Sequence, residues 1–171
     1  MFVAVPQRSP VIAFLFVILL LLSGCAIQLA PDYDEGLVDE LNSVNVATLT
    51  LFAELEGGSP AGAYAGHAEE YAGLIGRFEA LRQRAKARYL PPLAAELARK
   101  KVFNSFCNGE DNPTACLNVA PESIGEILSN LRTMRDTHSA GGLDPGAVML
   151  FRGRYDIEID QALTVEQALK R

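Results

Sequence analysis

Apolar residues that alternate at steps of four and three are the feature that most constrains the fold of this 171-residue chain. Between positions 33 and 55 the repeat consists of Leu37, Leu41, Val44, Thr48, Leu51 and Leu55. A second repeat, between positions 64 and 89, consists of Tyr64, His67, Tyr71, Leu74, Phe78, Leu81 and Ala85. An α-helix completes a turn in about 3.6 residues, so this spacing places each set on one helix face. Both segments are therefore predicted to be helices that bury one side.

Proline and glycine mark where these helices begin and end. Asp32 and Asp34 can cap the first helix, and the glycine-rich segment 57–66 is predicted to be the loop that follows it. Pro91-Pro92 should break the second helix. A third helical piece is predicted from Leu93 to about Phe106, with its packing residues being Leu93, Leu97, Val102 and Phe106. Residues 107–120 are predicted to be a loop.

Two more helices are predicted towards the C-terminus. One runs from Pro121 to about His138 with a face of Ile124, Ile127, Leu128, Leu131 and Met134, and a break is expected from Ser139 to Gly142. Asp144-Pro145 then has the pattern of an N-cap followed by proline in the first helical turn. The segment from Tyr155 to Ile159 alternates like a short strand, but its flanks favour a helix. The predicted fold is all-α: an antiparallel bundle of about four main helices, one of them broken at Pro91-Pro92.

Charge is distributed unevenly along this acidic chain, whose formal net charge is −6. No lysine or arginine occurs between Arg8 and Arg77, whereas nine acidic residues fall between positions 32 and 70. We expect the acidic first helix to pack beside the basic end of the second, with an acidic surface for a basic partner as the alternative. A chain of this charge has no electrostatic reason to bind nucleic acid.

The N-terminal segment combines Arg8, an apolar run from Val11 to Leu22, and then Ser23-Gly24-Cys25. The sequence Leu22-Ser23-Gly24-Cys25 resembles the lipobox of bacterial lipoproteins. The resemblance covers about the first 25 residues and implies that residues 1–24 are a signal peptide removed before Cys25. It also implies that Cys25 carries fatty acids such as palmitate, and that Ala26 after the cysteine directs the protein to the outer membrane. More than one acyl chain gives stable membrane anchoring.

The resemblance also defines the predicted domain organisation. Residues 25–31 become a lipidated tether that spans about 20 Å at most, and residues 32–171 become a single helical domain. The expected location is the cell envelope, on the periplasmic face of the outer membrane.

Cys107 and Cys116 remain once Cys25 is acylated. An even pair of cysteines in an oxidising compartment predicts a disulfide, with two free thiols as the alternative.

Candidate binding residues are few. Tyr64, His67 and Tyr71 lie on one helical stripe, and together with Tyr155 they are the candidates for a ligand pocket between helices. His67 and Glu70 share a helix face, but di-iron bundles use the order Glu-x-x-His and repeat it. We therefore expect a histidine at the edge of the core here, and neither a metal site nor a cofactor.

The chain contains none of the common nucleophile, phosphate-binding or zinc-protease motifs. An enzyme is not expected. The leading hypothesis is a non-catalytic, lipid-anchored periplasmic protein that binds or braces another envelope component. The alternative is a carrier of a small ligand or metal with a pocket between helices.

Overall fold

The computed structural model of the chain describes residues 28–100 and 117–170. Five α-helices occupy most of this part of the chain: α1 (Glu35–Leu55), α2 (Tyr64–Lys86), α3 (Pro92–Arg99), α4 (Ala120–Gly141) and α5 (Pro145–Ala168). A short 3-10 turn, Ala61–Ala63, leads into α2. The only β-type pairing in the described ranges is an isolated bridge between Ser59 and Leu143. The prediction of an all-α fold is confirmed, and the segment from Tyr155 to Ile159 is helical.

The four long helices form a ring in which α1 contacts α2, α2 contacts α4, α4 contacts α5, and α5 contacts α1. The connections α1–α2 and α4–α5 meet at one end of the bundle, here called the upper end, where Ser59 pairs with Leu143. The opposite end, here called the base, holds the start of α1 beside the end of α2, joined by Asp34 and Arg84. Each helix is therefore antiparallel to both of its neighbours, as in an up-and-down four-helix bundle.

Aspartate caps begin α1 and α5. Asp34 Oδ1 accepts a hydrogen bond from the backbone N–H of Leu37 at 3.1 Å, and Asp144 Oδ1 accepts one from Ala147 at 2.9 Å. Such caps satisfy backbone donors that the first helical turn leaves unpaired. Both capping residues were predicted from the sequence.

The core lies on the axis of the bundle and is built from the apolar stripes. Buried positions of α1 agree with the predicted repeat from Leu37 to Leu55, and those of α2 agree with the predicted repeat from Tyr71 to Ala85. The first two members of the α2 repeat, Tyr64 and His67, are only partly buried. The largest side chains that are fully buried include Tyr71, Phe78, Phe52, Tyr155 and several leucines and isoleucines. Burial of these side chains is the main source of the bundle's stability.

Three predicted details differ in the structure. Helix α2 begins at Tyr64, so the loop is shorter than 57–66. Helix α4 continues through Ser139 and ends at Gly141. The next residue, Gly142, has a φ of +84°, which suits a glycine that terminates a helix. In α3 the buried residues are Ala94 and Ala98, whereas Leu93 is 42% exposed. The side of α3 that packs is thus the small alanine pair.

Two sequence-based predictions concern residues outside the described ranges: the lipid anchor at Cys25 and the disulfide between Cys107 and Cys116. Both stay predictions. None of the helices in the described ranges is long and apolar enough to cross a membrane.

Candidate functional site

A pair of glycine turns joins the two connections at the upper end. The backbone N–H of Ser59 donates to the carbonyl of Leu143, and the N–H of Leu143 donates to the carbonyl of Ser59, both at 2.7 Å. Gly58 and Gly142 each have a φ of +84°, which side chains disfavour. A Cβ on Gly142 would also lie 2.8 Å from the carbonyl oxygen of Ser59. The two turns therefore require glycine to approach this closely.

His138 lies beneath these turns and is fully buried. Its Nε2 lies 3.0 Å from the Ser59 hydroxyl, and its Nδ1 lies 3.3 Å from the Tyr71 hydroxyl. A hydroxyl can donate or accept, so a neutral imidazole satisfies both contacts with one donor and one acceptor nitrogen. His138 thereby links α4 to the α1–α2 connection and to α2.

The surroundings of His138 favour its neutral form. Burial lowers the pKa of His138 below its ordinary value, and the nearby His67 lowers it further, although a backbone hydrogen bond with Pro60 opposes both effects. Burial also raises the pKa of Tyr71 far above its ordinary value. Both groups are therefore uncharged at neutral pH.

Three of the four candidate pocket residues come together around His138. The ring centroids of Tyr64, His67 and Tyr71 lie 5.6, 5.8 and 5.9 Å from that of His138. Tyr155 takes no part in this cluster. It packs against Phe52 and Phe78 in the middle of the core, and its hydroxyl donates a 2.8 Å hydrogen bond to Asn45.

The packing of these tyrosines gives no support to a pocket between helices. Tyr71 and Tyr155 are both completely buried, and each fills space in the core. Among the cavities formed by the described residues are four shallow ones of 340 to 470 Å³, and none of these four is lined by Tyr64, His67, Tyr71 or Tyr155. The hypothesis of a ligand pocket between helices stays a prediction.

The contact between Ser59 and His138 resembles the first link of a nucleophile–base pair, but its surroundings differ from those of a hydrolase. The other ring nitrogen faces the phenol of Tyr71, where a catalytic triad has a carboxylate that stabilises the imidazolium. The nearby backbone N–H groups of Ser59 and Leu143 already donate to carbonyls, so these two cannot bind an oxyanion. The arrangement is better suited to holding the upper end together than to acyl transfer.

A second cluster lies beside this link, at the surface. Glu54 comes from the last turn of α1, and His67 and Glu70 come from the first two turns of α2. The Nδ1 of His67 lies 3.7 Å from Glu54 Oε2 and 3.5 Å from Glu70 Oε2. One donor atom from each residue lies within 4.8 Å of the other two. The cluster can therefore present an imidazole and two carboxylates to a single ion.

Three residues of these clusters were not predicted from the sequence to be site residues: Glu54, Ser59 and His138. His138 follows Met134 by four residues, so it continues the apolar stripe of α4 and could have been predicted to be buried. Glu54 and Ser59 carry no such signal, because only the fold of the α1–α2 hairpin brings them to α2 and α4.

Comparisons of the chain with family models, with curated proteins and with solved structures each gave no match. The site must therefore be interpreted from its own chemistry.

Proposed function

We propose that this protein is a lipid-anchored lipoprotein of the bacterial envelope that binds or braces another envelope protein. Cys25 would carry the fatty acids and hold the chain to the periplasmic face of the outer membrane. The proposed location rests on the similarity of Leu22-Ser23-Gly24-Cys25 to a lipobox. The described chain enters the bundle at its base, so the tether of residues 25–31 would hold the base next to the lipid.

The observation that carries the binding role is an apolar strip on the outer side of α5. Helical geometry, at 100° per residue, places four residues on one face, opposite the buried Tyr155: Gly146, Leu150, Gly153 and Ile157. Leu150 is 74% exposed and Ile157 is 71% exposed. The space where a Cβ of Gly153 would lie is open, so another helix or strand could approach the backbone closely there.

The strip continues into a groove. Leu150 lines a cavity of 390 Å³ between α4 and α5 together with Asn130, Thr133, Thr137, Ala147, Phe151 and Arg154. Large exposed apolar side chains that line up beside a groove are typical of a protein-binding surface. Because the strip itself is uncharged, burial of its apolar side chains would provide most of the binding energy.

Site-specific photo-crosslinking in intact cells tests the proposal. A photoreactive residue in place of Leu150 should give one discrete adduct with another envelope protein, and Ile157→Glu in the same chain should abolish that adduct. The matched control places the photoreactive residue at Gln83, which is also exposed but lies on α2. Equal adducts at both positions, an adduct only with a second copy of this chain, or monomer alone would each contradict the proposal.

A further inference from the structure

Among the described residues, the carboxylates in ion pairs between different helices or their ends are paired with arginine, with one exception. The paired ones are Asp34 with Arg84, Glu40 with Arg77, Glu79 with Arg132, Glu126 with Arg154 and Glu166 with Arg88. Glu54 and Glu70 face each other across α1 and α2, and the ion pairs of the described residues join them only to His67. This acidic contact lacks the compensation that the bundle provides elsewhere.

The charge pattern of the sequence and the antiparallel hairpin together explain the exception. Basic residues of α2 begin at Arg77, so they lie in its second half, which runs beside the first half of α1. Arg77 and Arg84 can therefore reach Glu40 and Asp34. The second half of α1 and the first half of α2, both without lysine or arginine, are left together at the upper end. Two carboxylates are held there with only an imidazole between them.

Two of the three donor–donor distances are close to the edge length of a metal coordination sphere, and the third, between the carboxylates of Glu54 and Glu70, is within 4.8 Å. Ligands of a tetrahedral zinc ion with bonds of about 2.0 Å lie about 3.3 Å apart. The Nδ1 of His67 lies 3.5 Å and 3.7 Å from the two carboxylate oxygens, so small side-chain movements would complete the geometry. Glu54 and Glu70 come from different helices, so an ion between them would also join α1 to α2.

We propose that Glu54, His67 and Glu70 are the ligands of a binding site for a divalent transition-metal ion, and that this ion is zinc. Two carboxylates and one imidazole suit zinc, whereas calcium takes six to eight oxygen ligands. The nearby His138 is not available as a fourth ligand, because both of its ring nitrogens already contact hydroxyl groups, those of Ser59 and Tyr71. Water would therefore occupy the fourth position. The side chain of Glu54 is 51% exposed, so the ion can enter from solvent and exchange. This inference goes beyond the proposed partner binding and does not depend on it.

Calorimetric titration of the purified full chain with zinc, after treatment with a chelator, tests the site. We expect one zinc ion per chain, and at least about a tenfold loss of affinity in His67→Ala and in Glu54→Gln. The matched control is Glu69→Gln, which removes the same charge from the exposed neighbour of Glu70 and should bind zinc like the unaltered protein. Circular dichroism of each variant establishes that it is folded.

A second measurement separates this site from the cysteines. Zinc should raise the melting temperature of the unaltered protein, because it binds the folded state, and it should do so equally in Cys107→Ser with Cys116→Ser. It should have little effect on His67→Ala. No binding by the unaltered protein, equal affinity in all variants, or loss of binding only with the cysteines would each overturn the proposal.

Discussion

The two histidines of the chain occupy different environments, although each continues an apolar stripe of its helix. His138 is completely buried, with both ring nitrogens in hydrogen bonds to hydroxyl groups. The side chain of His67 is 22% exposed and faces two carboxylates. Because it is buried, His138 is a structural link between helices. Because it is partly exposed, His67 is a candidate metal ligand.

His138 should make the stability of the protein depend on pH. Its pKa in the folded protein lies below its value in the unfolded chain, chiefly because of burial. As the pH falls through about 6.5, the unfolded chain therefore takes up the proton first, and the free energy of unfolding decreases until the pH is below the folded-state pKa. Replacing His138 with Gln removes this group, so unfolding followed by denaturant should show a smaller decrease from about pH 7.5 to about pH 5.

The same variant has a second expected effect. At about pH 7.5 it should lose about 1 to 3 kcal/mol of stability, because the buried hydroxyls of Ser59 and Tyr71 lose well-placed partners. An unchanged dependence on pH in His138→Gln would show that other titratable groups cause the effect.

At the scale of the elements, the base is held by one buried network. Arg88, just beyond α2, donates two hydrogen bonds of 2.6 Å to Glu166 in the last turn of α5, and a third of 2.7 Å to Asn118 ahead of α4. Asn118 in turn donates to the carbonyl of Ala85 at 2.8 Å. Since the side chains of Arg88 and Glu166 are 9% and 0% exposed, the network joins three helices away from solvent.

Breaking this network on one side should be costly. Arg88→Met or Glu166→Leu alone leaves a buried charge without its partner, and each should lower the free energy of unfolding by about 3 to 5 kcal/mol. The double variant should lose less than either single one, since no unpaired charge remains. The measurement is urea unfolding.

The exposed pair of Glu96 and Lys100 provides the control for this prediction. Its side chains are 50% and 65% exposed, so Glu96→Gln should cost less than about 1 kcal/mol. Costs for the Arg88 and Glu166 variants as small as that of the control would contradict a structural role for the network.

At the scale of the whole molecule, the two ends differ in charge and position. The base receives the chain from residues 28–34 and pairs its carboxylates with arginine, whereas the upper end holds the acidic cluster and the glycine turns. Helix α1 alone separates these ends by about 30 Å. If Cys25 is acylated, the proposed metal site points away from the lipid.

The anchor itself can be tested by Cys25→Ala. The processing that a lipobox implies acts only after the cysteine is acylated, so this variant should keep its 24-residue leader and lose fatty-acid labelling. Mass spectrometry of the protein from membranes measures both effects. A variant that is still cleaved before position 25, or still labelled, would refute the similarity to lipoproteins.

The helices follow from the sequence alone, because the steps of three and four from Leu37 to Leu55 and from Tyr71 to Ala85 require only local geometry and burial of one face. The sequence also predicted the caps at Asp34 and Asp144, since an N-cap depends on residues three apart. The predicted end of α4, near His138, is too early. A helix can continue through Ser139 when tertiary contacts hold His138.

Which side chains meet depends on the arrangement of the helices in space. Glu54 and His67 lie 13 positions apart in the chain, and Ser59 and His138 lie 79 apart. Their contacts depend on the order of helices around the ring and on the glycine turns that bring two connections together. The uneven charge was visible in the sequence, but its consequence was not. The antiparallel hairpin places the arginines of α2 beside the first half of α1, and it leaves Glu54 and Glu70 facing each other at the upper end.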